Sequence, residues 1–110
     1  MNVTIESSGR IIVAYLIGEI DHHTAADVRR RIDDALSVKK PNELILDFKN
    51  VSFMDSSGIG LVMGRYRLLK TIDPTATVLV KNVSTQTKKI MELAGLGRIA
   101  MIKECNDEKD

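Results

Sequence analysis

A short polar turn between two apolar segments carries the residues of this chain that are best placed to do chemistry. The turn, Asp55-Ser56-Ser57-Gly58, lies between a strand predicted at Leu44–Phe48 and a helix predicted from about Ser57 to Ile72. The first backbone N–H groups of a helix have no hydrogen-bond partner within the helix, and the helix dipole is positive at this end. Either serine can therefore cap the helix, and a phosphate can be held beside it. The turn therefore indicates a phosphorylation switch more than a catalyst.

Composition predicts one globular domain without an overall electrostatic preference. The chain has 110 residues, 44% of them hydrophobic, which is enough for one core. Sixteen Lys and Arg against fifteen Asp and Glu give a net charge of +1, so nothing attracts the whole chain to nucleic acid or to an anionic membrane. Cys105 is the only cysteine, which favours a reducing compartment. With no secretory leader and no apolar run of membrane-spanning length, we expect a cytoplasmic protein.

The N-terminal third predicts a hairpin followed by an amphipathic helix. Val3–Ile5 and Ile11–Ile17 are strand-like, and the second run is apolar at odd and even positions, so we expect both of its faces to be covered and Gly18 to end it. Thr24 and Asp27 have the spacing of a capping box. Apolar residues then recur at helical intervals until Pro41-Asn42: Ala25, Val28, Ile32, Ala35 and Leu36.

Strands and helices continue to alternate in the second half. Asp73-Pro74-Thr75 is predicted to end the second helix, a strand follows at 76–80, and Ser84 is placed to cap a third helix. A short last strand is predicted at 99–102. The resulting fold class is α/β, a single domain with a central mixed β-sheet of four to five strands, helices packed against it and an N-terminal β-hairpin. We expect the domain to span residues 1–103 and residues 104–110 to form a frayed polar tail.

Two separated motifs carry a family resemblance. Gly18-Glu19-Ile20-Asp21-His22-His23-Thr24-Ala25 is followed about thirty residues later by Ser52-Phe53-Met54-Asp55-Ser56-Ser57-Gly58-Ile59-Gly60 and Gly64-Arg65-Tyr66. Together they closely resemble the sporulation-type anti-sigma-factor antagonists of the STAS-domain family, from the first strand to Leu96. Relatives usually carry a further amphipathic helix after the last strand, where this chain has a polar segment.

The resemblance implies a partner-switching binding protein, not an enzyme. In that family the unmodified protein binds an anti-sigma factor that is also a serine kinase, and the bound sigma factor is released. Phosphorylation of the first serine after the motif aspartate, Ser56 here, abolishes binding, and a PP2C-type phosphatase restores it. From charge, composition and residue spacing we expect no cofactor, metal ion, direct nucleic-acid contact or membrane association, and we expect a monomer. The resemblance places the partner surface on the two turns and the start of the second helix: Asp21, His22, His23, Thr24, Asp55, Ser57, Gly58 and Ile59.

Residue spacing, independent of the resemblance, suggests two further surfaces that could contact a partner. Leu61 and Leu68 are seven residues apart on the predicted second helix, with Arg65 between them, so this row either faces a partner or is buried against neighbouring elements. Ser84 and Thr85 open the third helix and would lie beside the switch if the strands containing Val80 and Phe48 are neighbours.

Other groups of residues suggest different functions, but the sequence supports these less well than the phosphorylation switch. His22 and His23 beside Asp21 resemble metal ligands, but adjacent residues on one turn do not converge easily on one ion. Ser57, His23 and Asp47 can be assembled as a hydrolase triad, although the Gly-x-Ser-x-Gly spacing is absent. A sensory or scaffold STAS module whose serine is never modified is the main alternative to the switch.

Overall fold

The computed structural model describes residues 2–105, which form a five-stranded mixed sheet with three α-helices. This confirms the predicted fold class. The strands are β1 (Val3–Ser8), β2 (Ile11–Ile20), β3 (Glu43–Met54), β4 (Thr77–Val83) and β5 (Met101–Glu104). The helices are α1 (His22–Lys39), α2 (Ser56–Ile72) and α3 (Thr85–Leu93), and a single 3-10 turn follows at Leu96–Arg98.

The order of the strands puts the helices on one side of the sheet. The strands lie in the order β1-β2-β3-β4-β5, with β1 and β2 antiparallel and the later neighbours parallel. Each parallel pair is joined through a helix, and such connections are almost always right-handed. Because the three crossovers proceed in the same direction across the sheet, α1, α2 and α3 all cover the same face. The core lies between this face and the helices.

The prediction that both faces of β2 are covered is wrong. Ile12, Ala14 and Leu16 are buried beneath the helices, whereas Ile11, Val13 and Tyr15 on the other face are only half-buried and Ile17 is exposed. An apolar residue at every position of a strand is typical of a sheet covered twice, but here the second face stays open.

Two strands run further than their apolar cores suggest. We expected Gly18 to end β2, but Gly18 adopts a left-handed φ of 81° and the strand continues to Ile20, with shifts in its pairing to β3. The bulge explains why a glycine interrupts the pattern without ending the strand. The strand predicted at residues 44–48 extends to Met54, so β3 ends immediately before Asp55.

The described C-terminal segment ends in a strand. β5 reaches Glu104, whose carboxylate accepts a hydrogen bond from the Thr85 hydroxyl. The expectation that Glu104 begins a frayed tail is therefore wrong for this residue, because the strand and the contact with α3 both hold it. Cys105 follows the strand and is exposed, and the remaining predicted tail, residues 106–110, lies outside the described residues.

Candidate functional site

Three helix starts lie along one edge of the sheet. β2, β3 and β4 are mutually parallel, and each is followed directly by a helix. Their carboxyl ends therefore meet at the same edge, where Asp21, Asp55 and Ser84 are the N-caps of α1, α2 and α3. The strands containing Phe48 and Val80 are neighbours, as the predicted position of Ser84 and Thr85 required. This edge is the candidate functional site.

Asp55, not a serine, caps α2. Its carboxylate accepts a hydrogen bond from the Ser57 backbone N–H at 2.8 Å, and the Gly58 N–H donates to the Asp55 carbonyl at 3.0 Å. The expectation that Ser56 or Ser57 caps the helix is wrong, because the aspartate before them already occupies the capping position. Ser56 is instead the first residue of the helix, and its side chain is exposed, whereas that of Ser57 is half-buried.

Gly58 fits closely against the end of β3. A Cβ atom at this position would lie 2.2 Å from Cγ and 2.3 Å from Sδ of Met54, so a larger residue requires that methionine to move. Gly60 has open space at the equivalent point. The two glycines of Gly58-x-Gly60 therefore differ, and only at the first would a side chain disturb the packing of Met54.

The turn between β2 and α1 is closed by a reciprocal capping box. The Asp21 carboxylate accepts hydrogen bonds from the N–H groups of His23 and Thr24, and the Thr24 hydroxyl accepts one from the Asp21 N–H at 3.0 Å. The predicted box from Thr24 to Asp27 is wrong, because α1 begins at His22 and Thr24 is the third residue of the helix, where it closes the box that Asp21 opens. The backbone N–H of Thr24, followed by that of His23, holds the pKa of Asp21 below its ordinary value.

A backbone hydrogen bond joins the two turns. The Asp55 N–H donates to the Ile20 carbonyl, the residue before Asp21, at 3.2 Å. Within the first turn, the Thr24 hydroxyl donates to the Glu19 carbonyl at 2.7 Å. Ser56 thus lies on a surface whose two halves are fixed to each other by main-chain atoms.

The third helix start is capped as predicted. The Ser84 hydroxyl accepts a hydrogen bond from the Thr87 N–H at 3.1 Å, and both Ser84 and Thr85 are exposed. They lie at the same sheet edge as Asp55, one strand away. Their predicted role in partner contact remains a prediction.

The row of Leu61, Arg65 and Leu68 is not an exposed surface. Leu61 is buried against the core, Leu68 is half-buried, and Arg65 is only 6% exposed. The burial of Leu61 and Arg65 favours the second alternative for this row, packing against neighbouring elements, and the role of these two residues in partner contact remains a prediction. Arg65 Nε lies 2.6 Å from the Asp33 carboxylate of α1, a contact that lacks hydrogen-bond geometry.

Burial affects both members of this ion pair. It lowers the pKa of Arg65 and raises that of Asp33, because desolvation opposes the charged forms more than the partner's charge favours them. No helical spacing reveals this pair, because its members lie on different helices.

The enzymatic and metal interpretations gain no support within residues 2–105. The Asp47 carboxylate accepts hydrogen bonds from the Lys49 N–H and the Asn82 side chain, and no recorded bond joins it to His23 or Ser57. The rings of His22 and His23 lie 5.5 Å apart in an edge-to-face arrangement, and no group of three or more metal-ligating side chains occurs in the described residues. No helix there has the length and apolar character needed to cross a membrane.

Sequence reasoning missed two residues of this region. Phe53 had no predicted role, yet this residue is 54% exposed and lies three residues before Ser56. Arg29 had no predicted role in partner contact, yet its exposed side chain lines a groove that also contains Ser57. An exposed phenylalanine at the end of a strand can be found only when the direction of that strand is known.

Comparison with known proteins assigns this chain to a protein family. The STAS domain family matches this chain over residues 2–108, and the chain belongs to that family. It is 34% identical to the anti-sigma F factor antagonist of Paenibacillus polymyxa over 104 residues, covering 93% of this chain and 87% of that protein. It is 36% identical to the anti-sigma F factor antagonist of Lysinibacillus sphaericus over 86 residues, covering 78% and 72%.

Solved structures give the same result. The chain resembles the anti-sigma factor antagonist SpoIIAA in its unphosphorylated form with a TM-score of 0.77 and 34% identity, covering 91% of this chain and 86% of that one. For the Bacillus cell fate determinant SpoIIAA in the phosphorylated form, the TM-score is 0.71 at 34% identity, with coverage of 91% and 89%.

Proposed function

We propose that this protein is an anti-sigma-factor antagonist that switches partners through phosphorylation of Ser56. The observation that carries the proposal is the exposed Ser56 side chain at the first position of α2, beside the cap Asp55 and on the edge formed by the three helix starts. In its unmodified form the protein binds a cytoplasmic anti-sigma factor with serine-kinase activity and causes release of the sigma factor. A PP2C-type phosphatase resets the cycle, and the protein acts as a monomeric binding protein without catalysis of its own.

Ser56 is a better acceptor than Ser57 on structural grounds. A kinase must reach the hydroxyl oxygen, and Ser57 is half-buried with its N–H already bonded to Asp55. Ser56 is exposed, and no hydrogen bond of its backbone N–H is recorded within residues 2–105. A phosphate on Ser56 therefore meets the positive end of the helix dipole without displacing the cap.

Electrostatics explain how a phosphate can end binding without refolding. A phosphoserine carries about −1.5 to −2 charges and three acceptor oxygens. On Ser56 it lies next to Asp55 and, in the complex, against a partner surface that does not pair it. An unpaired interfacial charge costs about 3 kcal/mol, which is a loss of affinity of roughly a hundredfold. The likeness of this chain to both forms of SpoIIAA supports a switch within one fold.

The experiment uses the full chain with its cognate anti-sigma factor and ATP. Intact mass is measured for the wild type, Ser56→Ala and Ser57→Ala, and affinity is measured by calorimetry for the unmodified wild type and Ser56→Asp. We expect one phosphate on the wild type and on Ser57→Ala, none on Ser56→Ala, and roughly hundredfold weaker binding by Ser56→Asp.

Other outcomes have distinct meanings. Loss of modification in Ser57→Ala alone would move the site by one residue. No modification of any protein, together with unaltered binding by Ser56→Asp, would contradict the switch and support a scaffold module.

A further inference from the structure

A groove between α1 and α2 opens beside the switch. It has a volume of about 420 Å³ and begins at His22 and Ser57. Its walls are made mostly of small residues, so the backbones of the two helices are accessible from outside: Ala25, Ala26, Gly60 and Gly64. A Cβ atom at Gly60 or Gly64 would meet nothing within 4 Å, so these glycines are not required by internal packing.

Two arginines supply the charge in this groove. Arg29 from α1 and Arg65 from α2 both line it, and no carboxylate lines the same part. Two carboxylates, Asp33 and Asp34, line an adjoining cavity that Arg29 and Arg65 also line, and Asp33 pairs there with Arg65. Within residues 2–105 Arg29 makes no salt bridge, and its charge acts on the nearby carboxylate of Asp33.

Arg65 has hydrogen-bonding capacity that the fold does not use. The side chain is 7% exposed, and its buried Nη1 has no hydrogen-bond partner in the described part of the chain. A guanidinium has five donors, and a buried donor without an acceptor carries the cost of its lost hydration. The contact with Asp33 therefore leaves guanidinium donors unused, and Arg65 is one of the residues that line the groove.

We propose that this groove accepts a carboxylate side chain of the docking protein, held by Arg29 and Arg65. The inference rests on the proposed function, since it adds a contact to the same docking surface that contains Ser56. Charge complementarity selects an acidic side chain, and guanidinium groups bind carboxylates through paired hydrogen bonds. The small residues admit such a side chain between the helices, and the position of Ser57 at the groove's end makes it continuous with the switch.

The test measures the affinity of the unphosphorylated full chain for its cognate anti-sigma factor by calorimetry. Gly64→Leu fills the groove, and Arg29→Gln removes a charge while leaving the pair of Arg65 and Asp33 intact. Gly97→Leu is the matched control, because a Cβ at Gly97 also meets nothing within 4 Å but lies outside the groove. We expect at least about tenfold weaker binding for the first two variants and unchanged binding for the control, with unchanged circular dichroism for all three.

A double-mutant cycle identifies the acidic partner. Each Asp and Glu of the anti-sigma factor is replaced by its amide, and one of these substitutions should be non-additive with Arg29→Gln. If the wild type binds and Gly64→Leu and Arg29→Gln bind equally well, or if no acidic residue shows coupling, the groove assignment is wrong while the proposed function stands. If the wild type itself does not bind the anti-sigma factor, both proposals fail.

Discussion

The turns before α1 and α2 start in the same way and differ at their third helical position. Each follows a strand of the parallel part of the sheet and begins with an aspartate N-cap, Asp21 or Asp55. In the first turn the third position is Thr24, which returns a hydrogen bond to the N-cap backbone. In the second it is Gly58, which returns none and leaves room for Met54.

The two turns are held by different hydrogen bonds. The Asp55 N–H does not need a reciprocal cap, because the Ile20 carbonyl of the neighbouring turn accepts its hydrogen bond. The second turn is therefore anchored by the neighbouring turn, and its first helical residue, Ser56, is exposed. The first turn is closed by its own side chains and provides a fixed support beside it.

The strongest test of this difference exchanges the glycines of α2. Gly58→Ala should lower the free energy of unfolding by about 2 kcal/mol, because the new Cβ overlaps Met54. Gly60→Ala is the matched control and should raise it by about 0.5–1 kcal/mol, since this helical position has open space. Urea unfolding followed by circular dichroism measures both. Equal effects of the two substitutions would contradict the claim that Gly58 is needed for packing.

A smaller effect should separate the two caps. Thr24→Val removes the reciprocal hydrogen bond and should cost about 1 kcal/mol, because the buried part of the turn then has an unpaired donor at Asp21. Ser57→Val, at the second position of the other turn, removes no recorded side-chain hydrogen bond and should change the unfolding midpoint much less. A larger loss for Ser57→Val than for Thr24→Val would show that the second turn relies on its own side chains after all.

The smallest effect is a dependence on pH that belongs to the first turn. The folded-state pKa of Asp21 is lowered, chiefly by the Thr24 backbone N–H, so its stabilising contribution is fully present above the unfolded-state pKa of about 3.9. That contribution is lost as pH falls through the lower folded-state pKa. The difference in urea midpoint between wild type and Asp21→Asn should be constant from about pH 7 to 5 and shrink below about pH 4. A difference that grows on acidification would contradict the assignment.

The sequence predicted most of the fold because its signals are local. The ends of α1 at Pro41 and of α2 at Asp73-Pro74, the cap Ser84 and the alternation of strands with helices are each visible within a few residues. The first turn was misassigned because Asp21 and Thr24 both have capping side chains, and only the strand end at Ile20 shows which one comes first. The length of β3 was underestimated because Lys49 and Asn50 interrupt its apolar pattern.

By itself, the sequence determined the order of the elements, the STAS family and the two aspartate-containing turns, because caps, breakers and motifs act over short distances along the chain. Only the tertiary structure decided that the helices share one face of the sheet and that Arg65 is buried against Asp33. It also decided that Ser56 is exposed while Ser57 lines a groove. These features depend on which strands are neighbours and how two helices pack, and residues far apart in sequence settle both.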